Sequence, residues 1–126
     1  MLKTGFKTLL AQANAVIETV SVQDFPYLQD EPDVVVVDVR EAVERETDGT
    51  IPGSLHASRG LLEFHADPEC PAHLPELQPS KRVVLFCGTG GRSALAAKTL
   101  QDMGYSEVFS LAGGFAAWKA ANSKEG

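Results

Sequence analysis

The sequence predicts one α/β domain in which helices cover both faces of a mainly parallel sheet. Three observations carry this. Four consecutive β-branched residues, Val34 to Val37, show no polar alternation, the mark of a strand covered on both sides. A second apolar run, Val83 to Phe86, opens directly into a glycine-rich loop and then a helical stretch. Strand-like and helix-like segments alternate along the 126 residues, and no repeat or low-complexity linker divides them.

In chain order, residues 4–14 form an N-terminal helix whose weak apolar face is Leu9, Leu10 and Ala13. Val16 to Val20 reads as a short strand. Ser21 is placed to cap a helix containing Phe25, Tyr27 and Leu28, with Pro26 tolerated in its first turn. The valine strand stops at Asp38, and Glu41 to Glu46 follows as a short polar helix. In DGTIPGSLH, Gly49, Pro52 and Gly53 punctuate a turn before a brief strand near Leu55. Residues 58–66 are helical, whereas residues 67–80 hold four of the seven prolines and form a surface excursion. The helix after the glycine-rich loop directs Leu95, Leu100 and Met103 at the sheet, pairs Lys98 with Asp102, and ends at Gly104 in a left-handed cap. Val108 to Leu111 is the last strand. Phe115 and Trp118 mark one face of a final helix, and residues 122–126 are a polar tail.

Composition narrows the function. Lys and Arg total 11 against 17 Asp and Glu, a net charge of −6, and no basic cluster supplies an electrostatic footprint for nucleic acid. Two cysteines are too few for a secreted disulfide scaffold and fit a reducing compartment. Gln12 and Asn14 interrupt the apolar N-terminal stretch, which leaves no signal-peptide core, and no segment approaches the roughly 18 apolar residues that span a bilayer. A cytoplasmic protein without membrane or nucleic-acid partners is expected.

Ligands in parallel sheets sit beyond the carboxyl ends of the strands, which singles out Asp38 to Arg40 and Cys87 to Ser93. Cys87 ends its strand and begins CGTGGRS, so its sulfur meets the positive end of the next helix. A helix N-terminus and a nearby arginine, here Arg92, lower a thiol pKa from about 8.5 and favour the nucleophilic thiolate. Gly88, Gly90 and Gly91 let successive N–H groups of the loop, Thr89 included, point inward as an anion cradle, and Ser93 adds a hydroxyl. The bland alternative is a small buried cysteine at a strand end, but that needs neither three glycines nor the arginine. A dinucleotide loop fails because only a short chain follows and no acid ends a later strand. A Walker loop lacks Gly-Lys-Ser/Thr, and no GxSxG elbow is present. Cysteine phosphatases use Cys-x5-Arg, whereas the spacing here is Cys87-x4-Arg92.

Four ordered motifs, DVRE at 38–41, IPGS at 51–54, CGTGGRS at 87–93 and LAGGFAAW at 111–118, give the chain its resemblance to single-domain rhodaneses, from about Val16 to Ala120. The resemblance implies a rhodanese-like three-layer sandwich with a five-stranded, mainly parallel sheet in a single domain over 1–126. It also implies a thiosulfate sulfurtransferase-type enzyme in which Cys87 carries a persulfide. Its loop residues Gly88, Thr89, Gly90, Gly91, Arg92 and Ser93 bind the anionic donor, and no metal or organic cofactor is needed. Partners are then a small anionic sulfur donor and a thiol acceptor, a protein thiol among the options. The shorter loop suits a sulfur atom, and the longer phosphatase loop surrounds phosphate. One departure is Thr50 in place of the histidine often found before IPG.

Arg59 is a second candidate donor-binding cation, against the bland reading of a surface ion pair. Asp38 and Arg40 are expected to tie strand ends to loops, with Arg40 in reach of Glu44, and His56 to be a packed loop residue. His65, Cys70 and His73 could offer three zinc ligands, but a solvent-facing loop is the expectation, with Cys70 as a resolving thiol the lesser alternative. Two competing functions share the nucleophile: a cysteine phosphatase or arsenate reductase, and a sulfur-carrier or regulatory module without turnover.

Overall fold

The computed structural model describes residues 2–123. Five strands, β1 (Glu18–Val20), β2 (Val34–Asp38), β3 (Leu55–His56), β4 (Arg82–Phe86) and β5 (Glu107–Leu111), form one sheet in the order β1-β5-β4-β2-β3. Every pairing is parallel, so each strand needs a crossover, and the helices supply most of them. They are α1 (Phe6–Val16), α2 (Phe25–Gln29), α3 (Ala42–Asp48), α4 (Leu62–Ala66), α5 (Gly91–Met103) and α6 (Gly114–Asn122). The sheet is five-stranded, with a hydrophobic layer on each face. One layer joins Val37, Val83 and Leu85 to Ala13, Leu62, Leu77, Ala97 and Leu100; the other joins Val36, Val84 and Phe86 to Phe25, Ile51 and Phe115. The valine run lies between the two, which is why it shows no alternation.

Several expectations shift by small amounts for physical reasons. α1 continues through Val16, so β1 starts only at Glu18. The buried stripe of α1 is Leu10, Ala13 and then Ile17, at helical spacing, and Leu9, about 100° around the axis from Leu10, is left 43% exposed. Ser21 does not cap a helix of its own: its Oγ accepts the Asp24 N–H at 3.1 Å in a turn, and α2 begins afterwards with Pro26 in its first turn. Residues 58–66 divide into a 3₁₀ turn, Arg59–Leu61, and α4. The excursion over 67–80 has no regular element but buries Leu77.

α5 meets the sheet through Ser93, Ala94, Ala96, Ala97 and Leu100, small residues that bring its axis close, whereas Met103 at its end is partly exposed. Lys98 and Asp102 pair at 2.9 Å, and Gly104 caps the helix at φ 111°. α6 extends through Asn122, the first residue of the expected tail, and residues 124–126 lie outside the described residues. No helix among the described residues is long and apolar enough to cross a membrane.

Candidate active site at the carboxyl ends of β2 and β4

In register, Asp38 of β2 lies beside Phe86 of β4, so Arg40 and Cys87 emerge at the same edge of the sheet. After Cys87 the chain must reverse within four residues and start α5. Gly90 makes this possible at φ 116°, a backbone region that other residues adopt only with strain. The turn aims the Gly90 N–H at the Cys87 sulfur at 3.1 Å and the Ser93 N–H at 3.4 Å, and the Ser93 hydroxyl lies 3.6 Å from it.

The first turn of α6 holds the loop from behind. The Phe115 N–H donates to the Cys87 carbonyl at 2.7 Å and the Ala116 N–H to the Gly88 carbonyl at 3.0 Å. These carbonyls are therefore engaged by α6. The approach requires Gly114, at φ 61°, because a Cβ there would stand 2.6 Å from the Cys87 carbonyl oxygen. LAGG is thus a clamp on the Cys87 loop.

Cys87 is buried, and burial is the strongest single influence, acting against the thiolate. Hydrogen bonds from the Ser93 hydroxyl and from the N–H groups of Ser93, Gly90 and Thr89 outweigh it, and the thiol sits below its ordinary value. Arg92, the expected cause, ranks behind these donors, although it does interact with Cys87, whose sulfur is one of the influences that raise the Arg92 pKa. Its guanidinium makes a two-pronged pair with Glu44 of α3, at 2.8 and 2.9 Å, while Nη2 hangs 3.3 Å from where a Cβ on Gly88 would be. The pair raises the Arg92 pKa further. On the other side, hydrogen bonding to Arg92 pulls the Glu44 carboxyl down to about 2. Beside the loop lies a hollow of about 270 Å³, bounded by Gly88, Thr89, Phe115, Lys119, Glu44 and Asp48. A second hollow, about 280 Å³, opens on the other flank between Leu10, Thr89, Gly90 and Gly113. A further cavity, about 540 Å³, runs past Val34 and Leu55 and includes no residue of the Cys87 loop.

The β2 end is closed. The buried Arg40 guanidinium donates to both Asp38 oxygens, at 3.0 and 2.9 Å, and to the Gly49 carbonyl at 2.8 Å. It lies over Phe115 and Phe86, 4.4 and 5.6 Å from their ring centres. The expected Arg40–Glu44 pair is therefore replaced: Arg40 turns inward to Asp38, and Glu44 takes Arg92. Thr50, at the position of the family's histidine, donates to Asp38 Oδ2 at 2.9 Å, and Arg45 reaches the same oxygen at 3.1 Å. Burial raises the Asp38 pKa most strongly, but these bonds together hold it below its usual value. His56 bonds the Arg40 carbonyl through Nε2 at 2.7 Å.

Arg59 is not brought to the loop. Its side chain bonds Glu63 at 3.2 Å and Thr99 at 3.1 Å, bordering a groove with Leu9 and Lys98. His65, Cys70 and His73 are engaged separately with backbone, at Ala72 O, Ala72 N and Leu77 O. Both cysteines are free thiols. Sequence reasoning missed three contributors: Glu44, Ser110 and the Gly113–Gly114 clamp. Glu44 could have been noticed as the reciprocal partner of Glu41 in a capping box, and Ser110 as a polar residue in an apolar strand.

Comparison with known proteins agrees with this architecture. The family model for the Rhodanese-like domain matches residues 21–121. The chain is 32% identical over 107 residues to the thiosulfate sulfurtransferase GlpE of Pseudoalteromonas translucida, covering 84% of this chain and 92% of that one. It is 34% identical over 91 residues to a sulfurtransferase of Allochromatium vinosum, 72% of this chain and 77% of that one. Among solved structures, a Rhodopseudomonas palustris protein described as a possible tyrosine phosphatase superposes with TM-score 0.92 at 44% identity, covering 100% of this chain and 97% of that one. The human single-domain sulfurtransferase TSTD1 superposes with TM-score 0.72 at 27% identity, covering 83% and 97%. By sequence match, sheet order and loop position together, this chain belongs to the rhodanese-like domain family.

Proposed function

We propose that the whole chain, as one domain, is a sulfurtransferase that carries sulfane sulfur as a persulfide on Cys87. The observation that carries this reading is the convergence of the Gly90 and Ser93 N–H groups and the Ser93 hydroxyl on one buried thiol in a four-residue loop. Such donors stabilise a thiolate before reaction and a negatively charged sulfur after it. In the first half-reaction the Cys87 thiolate attacks the outer sulfur of thiosulfate. The donor's S–S bond breaks, its electron pair leaves with sulfite, and a new S–S bond forms on Cys87. In the second, an acceptor thiolate or cyanide attacks the terminal sulfur and Cys87 departs as thiolate. The persulfide stores the transferred atom, so the cycle uses no metal or organic cofactor. The donor enters by the hollow beside Gly88 and Thr89, which Arg40 and Lys119 line with positive charge and Glu44 and Asp48 with negative, the Glu44 carboxylate being paired with Arg92. A persulfide thiol is an equally suitable donor, and a reducing, cytoplasmic setting keeps the acceptor thiols available.

The second reading, a phosphatase, is favoured by the description of the Rhodopseudomonas palustris neighbour. The loop, one residue shorter than Cys-x5-Arg, weighs against it. Intact mass before and after thiosulfate decides: one added sulfur atom mapped to Cys87, removed by cyanide and absent in Cys87→Ala, supports transfer. No gain with thiosulfate or glutathione persulfide, together with hydrolysis of p-nitrophenyl phosphate, overturns it. Loading without turnover identifies a carrier.

A further inference from the structure

Behind the reacting sulfur stands a second hydroxyl that the chemistry above does not use. Ser110 of β5 is 2% exposed, and its register partner on β4 is Leu85. The only hydrogen-bond partner of its hydroxyl among the described residues is the Ser93 Oγ, at 2.8 Å. Ser93 in turn has three neighbours for one proton: Ser110, the Gly90 carbonyl at 3.2 Å and the Cys87 sulfur at 3.6 Å. The Gly90 carbonyl already accepts the Ala94 N–H at 3.1 Å.

We propose that Ser110 is a positioning residue that donates its proton to Ser93 and so turns the Ser93 proton toward Cys87 whenever that sulfur is negative. With Cys87 as thiol, S–H donates to Ser93. With Cys87 as thiolate or persulfide, Ser110 donates to Ser93 and Ser93 to sulfur. The change is a rotation of two hydroxyls, each keeping its proton, and a chain of two such bonds polarises the one nearest the charge. A buried serine hydroxyl in an apolar strand is unfavourable unless it is partnered, and Ser93 is the partner the fold provides.

Charges around the thiol come from other elements. Arg92 of α5 is paired with Glu44 of α3, and Arg40, which follows β2, and Lys119 of α6 line the adjoining hollow together with Asp48. α1 contributes Leu10 and Asn14 to the other flank, and Glu107 lies at the opposite end of β5 from Ser110's partner loop. Ser110 therefore acts on Cys87 through Ser93 alone.

This inference rests on Cys87 being the reacting thiol, but its test uses no sulfur donor, so it can fail or succeed independently of sulfur transfer. In a Cys70→Ser background, the pH dependence of Cys87 alkylation by iodoacetamide is measured for Ser110→Ala, Ser110→Thr, Ser93→Ala and the Ser93→Ala/Ser110→Ala double variant, with melting curves alongside. The midpoint rises by about half to one pH unit in Ser110→Ala, as loss of one hydrogen bond predicts, and returns in Ser110→Thr. The double variant matches Ser93→Ala. An unchanged midpoint in Ser110→Ala, or an equal further rise in the double variant, overturns the proposal. If Ser110→Ala does not fold, Ser110→Val against Ser110→Thr makes the same comparison at equal shape.

Discussion

β2 and β4 end side by side at one edge of the sheet, yet their ends are finished in opposite ways. At the β2 end, Asp38, Arg40, Arg45, Thr50 and the Gly49 carbonyl satisfy one another. At the β4 end, the donors do not satisfy one another; they are aimed together at a single polarisable atom, Cys87 Sγ. A polar cluster closed on itself fixes loops, whereas one left converging on a nucleophile lowers the free energy of charge that appears there. The comparison separates scaffold from chemistry without reference to residue type, since each end has its own arginine.

Breaking the closed end tests this most severely. Arg40→Met leaves the Asp38 carboxylate buried with its main partner gone, and stability falls by about 3–5 kcal/mol, read as a drop of more than ~10 °C in Tm. Thiosulfate loading per folded molecule changes far less. At the other end, Gly114→Ala forces a Cβ against the Cys87 carbonyl at a left-handed φ. Stability falls by about 1–3 kcal/mol. The rate of persulfide formation drops by roughly ten- to a hundredfold in stopped-flow mixing with thiosulfate, because the cradle shifts.

Glu44 sharpens the comparison with a pH dependence. Its carboxyl is held down to about 2 from an ordinary 4.5, so its contribution is complete above pH 4.5 and is lost as the pH falls from there to about 2. The pair is partly exposed, which keeps the effect below about 1 kcal/mol. Glu44→Gln accordingly flattens the fall in Tm across that window by a few degrees at most. The smallest effect is expected from Arg59→Ala: about 0.5 kcal/mol or less in denaturant unfolding, with the donor's KM unchanged, since its side chain answers to Glu63 and Thr99.

What could be read from the sequence was what is locally enforced. A run of valines without alternation, a cysteine followed by three glycines and an arginine, and a glycine after a helix each restrict the backbone where they stand, and Val34–Val37, the Cys87 loop and Gly104 are found as expected. The Lys98–Asp102 pair, one helical turn apart, was legible too, but the choice of partners between elements was not. Arg40, Arg45, Arg59 and Arg92 are alike as letters, and which carboxylate each one meets depends on how α3, α4 and α5 dock. Arg92 meets Glu44 and Arg40 turns to Asp38 because the former sits at the rim and the latter is buried against the Phe115 ring. Gly114 was visible as part of a motif, but its reason is a backbone contact with Cys87 and Gly88, far earlier in the chain.

The sheet order also sets when the surroundings of Cys87 are completed. Glu18 pairs with Phe109, so the first strand of this sheet to be synthesised has no neighbour until the fifth has been made, on the order of 5–20 s later at usual elongation rates. Cys87 emerges before β5 brings Ser110 and before α6 grips its carbonyl. Until then the loop around it stands without its clamp. The Gly90 and Ser93 donors follow within six residues of the sulfur, but the loop that aims them is gripped at the Cys87 and Gly88 carbonyls only by the last helix described.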